Sequence, residues 1–295
     1  MSSNIFGAKR SVRRRLTDQV MRVVITLAFL IALVPLISLV ITTVTNGLNR
    51  LDGEFFSSSM RNVVGAGGGG FHAMIGTLEV TLAASLISIP IGILTAIYLV
   101  EYGTGRLAKA ITFLIDVMTG IPSIVAGLFA FAFFAIFFGP GIRFGIGGAV
   151  ALSLLMIPVV VRSTEEMLKL VPNELREASY ALGVPKWLTI LKVVLPTSIG
   201  GIITGVVIAI SRIIGETAPL LIIAGLSTSL NFDLFDGRMT TLPVFVYTQY
   251  ANQGADAQAY IDRAWTGALV LMILVMALNL IARILARVLA PKGTR

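Results

Sequence analysis

Four charged residues within or at the edge of apolar segments stand out. Arg212 and Glu216 share one such segment at a spacing of four residues, Asp116 lies near the start of another, and Arg162 closes a third. A charge at the centre of a membrane span costs about 2.5–3.5 kcal/mol or more, so it usually faces a bundle interior or water. These four side chains are therefore the first candidates for chemistry.

Two interpretations of Arg212 and Glu216 are open. If the segment is a helix, the spacing places both on one face, where they either neutralise each other to ease burial or form a binding site. As a site, Arg212 offers a fork of N–H donors that suits a tetrahedral oxyanion, and Glu216 holds the guanidinium until the anion arrives. Hydrogen phosphate carries a proton and needs an acceptor, whereas sulfate does not. We therefore expect a carboxylate here to favour phosphate.

A stripe of polar and small residues begins at Asp116. Its members are Asp116, Thr119 or Gly120, Ser123 and Gly127. On an apolar helix, such a stripe is typical of either a water-lined path or close packing against a neighbouring helix. Pro122 lies within the stripe and is expected to kink or unwind the helix, which frees backbone groups to line a path.

The composition indicates a membrane protein rather than a soluble enzyme. Of the 295 residues, 56% are hydrophobic and 13% are charged, whereas soluble domains have about 25% charged residues. The chain has no cysteine, which excludes thiolate metal sites, and its one histidine, His72, argues against a histidine-based metal site or catalytic triad. No Walker A sequence is present, and the glycine-rich residues 65–70 predict a flexible external loop.

Six apolar segments are long enough to cross the ~30 Å core of a bilayer, which predicts an all-α bundle of six transmembrane helices. The predicted spans are residues 23–45, 74–100, 110–138, 144–162, 198–224 and 264–286, within a transmembrane domain 23–289 that lies between a basic segment 1–22 and a tail 290–295. Of 23 Lys and Arg residues, the outer side holds Arg50, Arg61, Arg143, Arg238 and Arg263. The positive-inside rule therefore places both termini in the cytoplasm, and the net charge of +8 reflects topology rather than nucleic-acid binding.

The loop of residues 163–196 is the longest and most charged on the predicted cytoplasmic side, and it predicts two short helices. Asn173 is placed to cap a helix starting at Glu174, Gly183 stands where a C-terminal glycine belongs, and Pro185 suits the first turn of a second helix. The predicted apolar faces are Leu175, Ala178, Ser179 and Leu182 in the first helix, and Trp187, Ile190, Leu191 and Val194 in the second. Spacing alone equally fits an amphipathic pair that lies on the membrane surface without a partner.

Part of this loop resembles the EAA loop of ABC-importer permeases. Glu177-Ala178-Ser179 is followed after three residues by Gly183, and after nine more by Val193-Val194-Leu195-Pro196. The family pattern is E-A-A, three residues, G, nine residues and I-x-L-P, from which Ser179 and Val193 depart mildly. In that family the loop is a coupling helix that docks into a cleft of the ATP-hydrolysing subunit. The coupling residues implied here are Glu177, Ala178, Ser179, Gly183, Leu195 and Pro196, with Trp187 as an aromatic anchor.

Further segments resemble the A-type permease family of high-affinity phosphate ABC importers. They are residues 93–103, 116–129, 162–166, 215–221 and 242–244, so the similarity runs from about residue 70 to the end of the chain. The run Gly-Glu-Thr-Ala-Pro-Leu-Leu at 215–221 is the most specific of them. The resemblance implies that Arg162, Arg212 and Glu216 are tied to phosphate passage. With the polar stripe, the candidate path residues are Arg212, Glu216, Arg162, Asp116, Thr119 and Ser123.

The resemblance also implies an assembly in the bacterial inner membrane. Its expected partners are a second, C-type permease, an ATPase dimer that binds ATP and Mg, and an external phosphate-binding protein, while this chain binds no cofactor. The outer loop 225–263 is the expected docking surface for the binding protein, through Asp233, Asp236, Asp256 and Asp262, unless these acids are simply solvated. Two alternatives stay open: a permease for another oxyanion, such as sulfate or molybdate, and an anion channel or carrier that needs no ATPase.

Overall fold

The computed structural model describes residues 12–254 and 256–289, and this part of the chain is helical without a β-strand. The predicted all-α fold class is therefore confirmed. The helices are α1 (Val12–Gly47), α2 (Gly53–Ser57), α3 (Phe71–Ile97), α4 (Gly105–Gly120), α5 (Ser123–Phe138), α6 (Gly145–Lys169), α7 (Asn173–Ala181), α8 (Lys186–Thr189), α9 (Leu195–Ile214), α10 (Ala218–Ile223), α11 (Leu242–Ala251) and α12 (Ala257–Leu289). A 3-10 turn spans Leu48–Arg50, and π turns span Tyr98–Tyr102 and Ile190–Val194.

Five helical segments in the described residues are long and apolar enough to cross a membrane. They are Leu16–Arg50, Phe71–Tyr102, Gly145–Lys169, Lys186–Ile214 and Ala257–Ile284. A sixth arises only if α4 and α5 count as one broken span, since they meet at an angle of 110°. The expected kink or unwinding at Pro122 is confirmed, and it takes the form of a sharp break between α4 and α5. Proline lacks a backbone N–H and forces the preceding residue, Ile121, into an extended conformation.

Two other predicted spans end at the wrong residues. The fourth was expected to stop at residue 162, but α6 continues to Lys169, because Arg162, Glu165 and Lys169 neutralise one another along one helix face. The coupling loop is correspondingly shorter than 163–196. The fifth was expected to run over 198–224, but α9 ends at Ile214 and the short helix α10 follows after a break.

The centre of the bundle is the packing of α3 against α6. Val80 and Ala84 of α3 are fully buried against Leu152 and Met156 of α6, with Ile213 of α9 closing the cluster. Small residues bring the helices together: at Gly92 of α3, a Cβ atom would lie 2.6 Å from Val160 Cγ1. This core fixes the positions of α6 and α9, which carry Arg162 and Arg212.

The first helix lies apart from this core. Its most apolar stretch has no buried residue in the single chain. Contact with the bundle comes at its C-terminal end, where Thr266 Oγ1 of α12 donates to the Gly47 carbonyl oxygen at 2.9 Å. The side chain of Leu269 packs directly on Gly47. Most of α1 is therefore available to lipid or to another chain.

A buried arginine organises the glycine-rich loop of residues 65–70. Arg263, expected just outside the last span, lies in the second turn of α12 and is 1% exposed. Its Nη1 donates to the carbonyl oxygens of Gly65 and Gly67 at 2.8 and 2.9 Å, and its Nε donates to Gln249 Oε1 at 2.9 Å. The loop that was expected to be flexible is therefore tied to α11 and α12.

Candidate functional site

Arg212 and Glu216 lie on either side of the end of α9. Arg212 is in the last turn, whereas Glu216 follows Gly215, which caps the helix. Placing both on one helical face is therefore wrong, and so is the expectation that Glu216 holds Arg212. In the part of the chain that the structure describes, neither side chain forms an ion pair or a hydrogen bond. Arg212 is exposed and Glu216 half-buried, so all five guanidinium N–H donors are free.

The break after α9 packs close to the break before α5. Pro219 lies in the first turn of α10, where proline is well tolerated. At Gly127 of α5, a Cβ atom would lie 2.5 Å from Pro219 Cα, so only glycine permits this approach. Of the two interpretations of the small residues, Gly127 therefore follows the packing one. The contact brings the segment after Glu216 next to the helix that begins at Ser123.

The stripe that begins at Asp116 does not form a single line. Asp116 and Thr119 lie on α4, Ser123 and Gly127 lie on α5, and the two helices diverge by 110°. The expectation of one continuous polar stripe is therefore wrong. Thr119 Oγ1 donates to the Ile115 carbonyl oxygen at 2.8 Å within its own helix. Ser123 is half-buried and makes no side-chain hydrogen bond among the described residues.

Arg162 is enclosed by two carboxylates. It donates to Asp116 on α4 and, through Nη1, to Glu165 Oε2 at 2.9 Å. Lys169 Nζ completes the cluster at 2.6 Å from Glu165 Oε1. The guanidinium therefore ties α4 to α6 and has negative partners already. Sequence reasoning missed Glu165, although its spacing from Arg162 and from Lys169 is the helical pairing spacing.

The helix–glycine–helix form is confirmed for residues 173–189, which form an insert between α6 and α9. Helix α7 ends at Ala181, and Gly183 follows in the left-handed region at φ +76°. The second helix begins at Lys186, so Pro185 takes the capping position rather than the expected place in the first turn. The helix continues through a π turn into α9 without interruption. The cap assigned to Asn173 is wrong, because α7 begins at Asn173 itself and Pro172 takes the capping position.

The insert presents an exposed surface. Glu177, Ala178 and Gly183 are exposed, and the most exposed large apolar side chains are Leu182 at 84% and Trp187 at 58%. The predicted apolar face of the first helix therefore points away from this chain, apart from its Ser179. Such a surface is typical of a protein contact.

Three other predicted coupling positions differ in exposure. Ser179 is buried, and its hydroxyl shares a 2.8 Å hydrogen bond with Thr189 Oγ1, so it joins the two insert helices. Leu195 is half-buried and Pro196 is exposed at the start of α9. The predicted face of the second helix is split, because Ile190 is buried whereas Leu191 is exposed.

The loop at the opposite end of the bundle carries two exposed aromatic side chains. Phe232 and Phe235 are exposed in the segment between α10 and α11. Asp233 Oδ1 accepts from Phe235 N at 2.8 Å, so this carboxylate shapes the loop locally. Asp262 similarly accepts from Gln258 Nε2 at 2.9 Å. Across residues 12–254 and 256–289, no group of three or more His, Asp or Glu side chains is placed to hold a metal ion.

The sequence is similar to that of known transport proteins. The family model described as "Binding-protein-dependent transport system inner membrane component" matches residues 88–295. The phosphate transport system permease protein PstA of Mycobacterium leprae (strain TN) is 47% identical over 275 residues, covering 92% of this chain and 88% of that protein. The protein of the same name from Yersinia pestis is 38% identical over 283 residues, covering 94% of this chain and 92% of its own length.

A solved structure supports the fold at low sequence identity. A chain of a bacterial alginate ABC transporter, in complex with a periplasmic protein bound to an alginate pentasaccharide, superimposes with a TM-score of 0.67 at 14% identity. The match covers 97% of this chain and all of that one. The helical bundle thus has the fold of this ABC-transporter chain. The family model and the relatives show that the chain belongs to the family of binding-protein-dependent transport system inner membrane components, as a phosphate transport permease.

Proposed function

We propose that this chain forms half of the translocation path of an ATP-driven importer of inorganic phosphate, and that Arg212 contacts the anion in passage. The observation that carries the proposal is the free guanidinium of Arg212 at the end of an otherwise apolar helix. A charge in a membrane helix is costly, and such charges usually mark a functional path. Its relatives' names supply the substrate, phosphate.

Arg212 suits a transient contact. A guanidinium donates two parallel hydrogen bonds to a tetrahedral oxyanion. A transport site must also release its ion, so one exposed arginine serves better than an enclosed cage of donors. Glu216, four residues on, supplies an acceptor for the proton of hydrogen phosphate and repels the fully deprotonated sulfate.

The exposed face of the insert is the coupling surface in this proposal. Glu177, Ala178 and Gly183 allow close approach of an ATPase subunit, and Trp187 anchors the contact. The ATPase dimer binds ATP and Mg, and this chain takes no part in hydrolysis. With the insert in the cytoplasm, both termini also lie there, in agreement with the excess of basic residues on that side.

Two other surfaces supply the remaining contacts. The exposed apolar stretch of α1 offers a face to the second permease subunit within the membrane. The external loop with Phe232 and Phe235 offers a contact for the phosphate-binding protein. ATP binding would close the ATPase dimer and open the bundle outward to accept phosphate. ATP hydrolysis would then return the bundle to the inward-open state.

The test is uptake of labelled phosphate by proteoliposomes that contain the complete complex. We expect uptake that requires ATP and the binding protein and that excess sulfate does not reduce. Uptake without ATP would remove the importer assignment in favour of a channel or carrier. Inhibition by sulfate or molybdate at concentrations near those of phosphate would assign another oxyanion to the same machine.

A further inference from the structure

Glu101 is a buried carboxylate that the path and docking assignments leave unused. It lies in the π turn Tyr98–Tyr102 at the end of α3, and its side chain is 5% exposed. π turns within helices are frequent at functional positions. A carboxylate so enclosed needs a cation, and Glu101 finds one on the insert, where Arg176 Nη2 and Nε approach its Oε1 at 2.9 and 3.1 Å.

Arg176 joins three elements through one guanidinium. Besides Glu101, it donates to the carbonyl oxygens of Leu168 at 2.9 Å and Val171 at 2.6 Å, which lie at the end of α6. Its side chain is 12% exposed. The end of α3, the end of α6 and the middle of α7 therefore share one buried charge, and none of them moves without disturbing it.

A second basic residue fastens the other half of the insert to the same point. Lys186, the first residue of α8, donates to the backbone carbonyl of Glu101, and its Nζ lies 4.9 Å from the ring centroid of Tyr102. The buried Ser179–Thr189 hydrogen bond holds α7 against α8. The insert is thus a braced pair of helices with both arms attached at Glu101 and Tyr102.

The chain leads from this point to the broken span. Three residues after Tyr102, at Gly105, α4 begins, and its far end is the 110° break at Ile121 and Pro122. A displacement of the insert is therefore applied directly to the start of α4. The Arg162–Asp116 ion pair then links α4 to α6 further along.

We propose that Glu101, Arg176 and Lys186 form a joint through which movement of the insert is passed to α3 and α4. These are positioning residues: they touch no phosphate and no nucleotide, and they act by keeping insert and bundle moving as one body. The inference rests on the proposed function, since it assigns the route by which ATP-driven movement reaches the path.

The test measures phosphate uptake and ATP hydrolysis in the same proteoliposomes. Glu101→Gln keeps the shape and removes the charge, Arg176→Lys keeps the charge and removes the fork, and Lys186→Met leaves the buried pair intact. Arg106→Gln, an exposed change of charge at the start of α4, is the matched control. We expect the ATP hydrolysed per phosphate to rise about fivefold or more in Glu101→Gln and Arg176→Lys, less in Lys186→Met, and not in the control.

The outcomes separate the joint from the transporter assignment. If wild type shows no ATP-driven phosphate uptake, the proposed function fails. If wild type transports and all three variants keep its ratio of ATP to phosphate, the joint is wrong, even if uptake falls with the amount of assembled complex. If Glu101→Gln fails to assemble, Lys186→Met decides, because it leaves Glu101 and Arg176 paired: a raised ratio supports the joint, and an unchanged ratio overturns it.

Discussion

Two arginines on apolar helices of this bundle have opposite surroundings. Arg162 is held between Asp116 and Glu165, while Arg212 is exposed and makes no ion pair in the described residues. A partly buried cation that has carboxylate partners ties together the helices that carry them. One without partners is available to an anion from outside the chain. Residue type and depth in the membrane therefore identify candidate residues for the path, whereas the ion-pair partners of each residue indicate its role.

The largest effect is expected from Arg212→Gln. The variant loses the charge-assisted hydrogen bonds to the anion, worth about 3 kcal/mol, so uptake should fall about 100-fold. The stability of the complex should not change, because Arg212 has no partner in this chain to leave unpaired. Initial rates of uptake and the thermal midpoint of the purified complex check both statements. Normal transport by this variant would contradict the proposed contact.

Glu216→Gln tests the carboxylate that acts with Arg212 in the proposed function. Without its negative charge the site no longer repels sulfate, so the preference for phosphate over sulfate should fall about tenfold or more. Competition of sulfate against labelled phosphate measures it. Glu166→Gln, the same substitution at an exposed position in the last turn of α6, serves as control. An unchanged preference in Glu216→Gln would remove Glu216 as the discriminating residue.

Arg162→Gln should lower the stability of the complex more than its transport, which is the reverse of the result expected for Arg212→Gln. It leaves Glu165 with only Lys169 and leaves Asp116 unpaired, so the complex should lose about 1–2 kcal/mol of stability, limited by the exposure of Asp116. Uptake per assembled complex should fall much less than in Arg212→Gln. Arg162→Lys should retain most of the stability. Loss of uptake with full stability would place Arg162 on the path instead.

The insert also contains one residue that has a partner in this chain, Ser179, and one that is exposed, Trp187. Ser179→Ala breaks the buried hydrogen bond to Thr189 and should cost about 1 kcal/mol of stability. Trp187→Ala removes an exposed side chain and should weaken association with the ATPase while leaving this chain equally stable. Thermal unfolding and detergent-resistant copurification of the ATPase measure the two effects. The interpretation is wrong if Ser179→Ala and Trp187→Ala change stability and ATPase association in the same way.

Local features of the sequence predicted much of this molecule. Hydropathy located the membrane helices, since a span needs a long apolar run. Gly183 and Pro185 marked the bend between the insert helices because their backbone requirements are local. Pro122 marked a break for the same reason, although its 110° angle depends on packing that no local pattern reports.

Pairing across the fold was the part that sequence could not supply. Arg162 and Asp116 are 46 positions apart, and Glu101 and Arg176 are 75 apart. Only the packing of α4 on α6, and of the insert on α3, brings each pair together. Arg212 and Glu216 have helical spacing, but α9 ends between them, so spacing suggested a pair that the fold does not make.

The central claim is that phosphate meets Arg212 and does not meet Arg162. Because the chain has no cysteine, Arg212→Cys and Arg162→Cys each introduce a single thiol, to be assembled with cysteine-free partner subunits. The measurement is the rate at which a positively charged methanethiosulfonate modifies each thiol, without phosphate and with phosphate at about 100 times the concentration that saturates wild-type uptake, which offsets the weaker binding expected without the arginine. We predict that phosphate slows modification of Arg212→Cys only, and that the added charge restores part of its uptake. Equal rates at Arg212→Cys with and without phosphate, or protection at Arg162→Cys alone, would contradict the account.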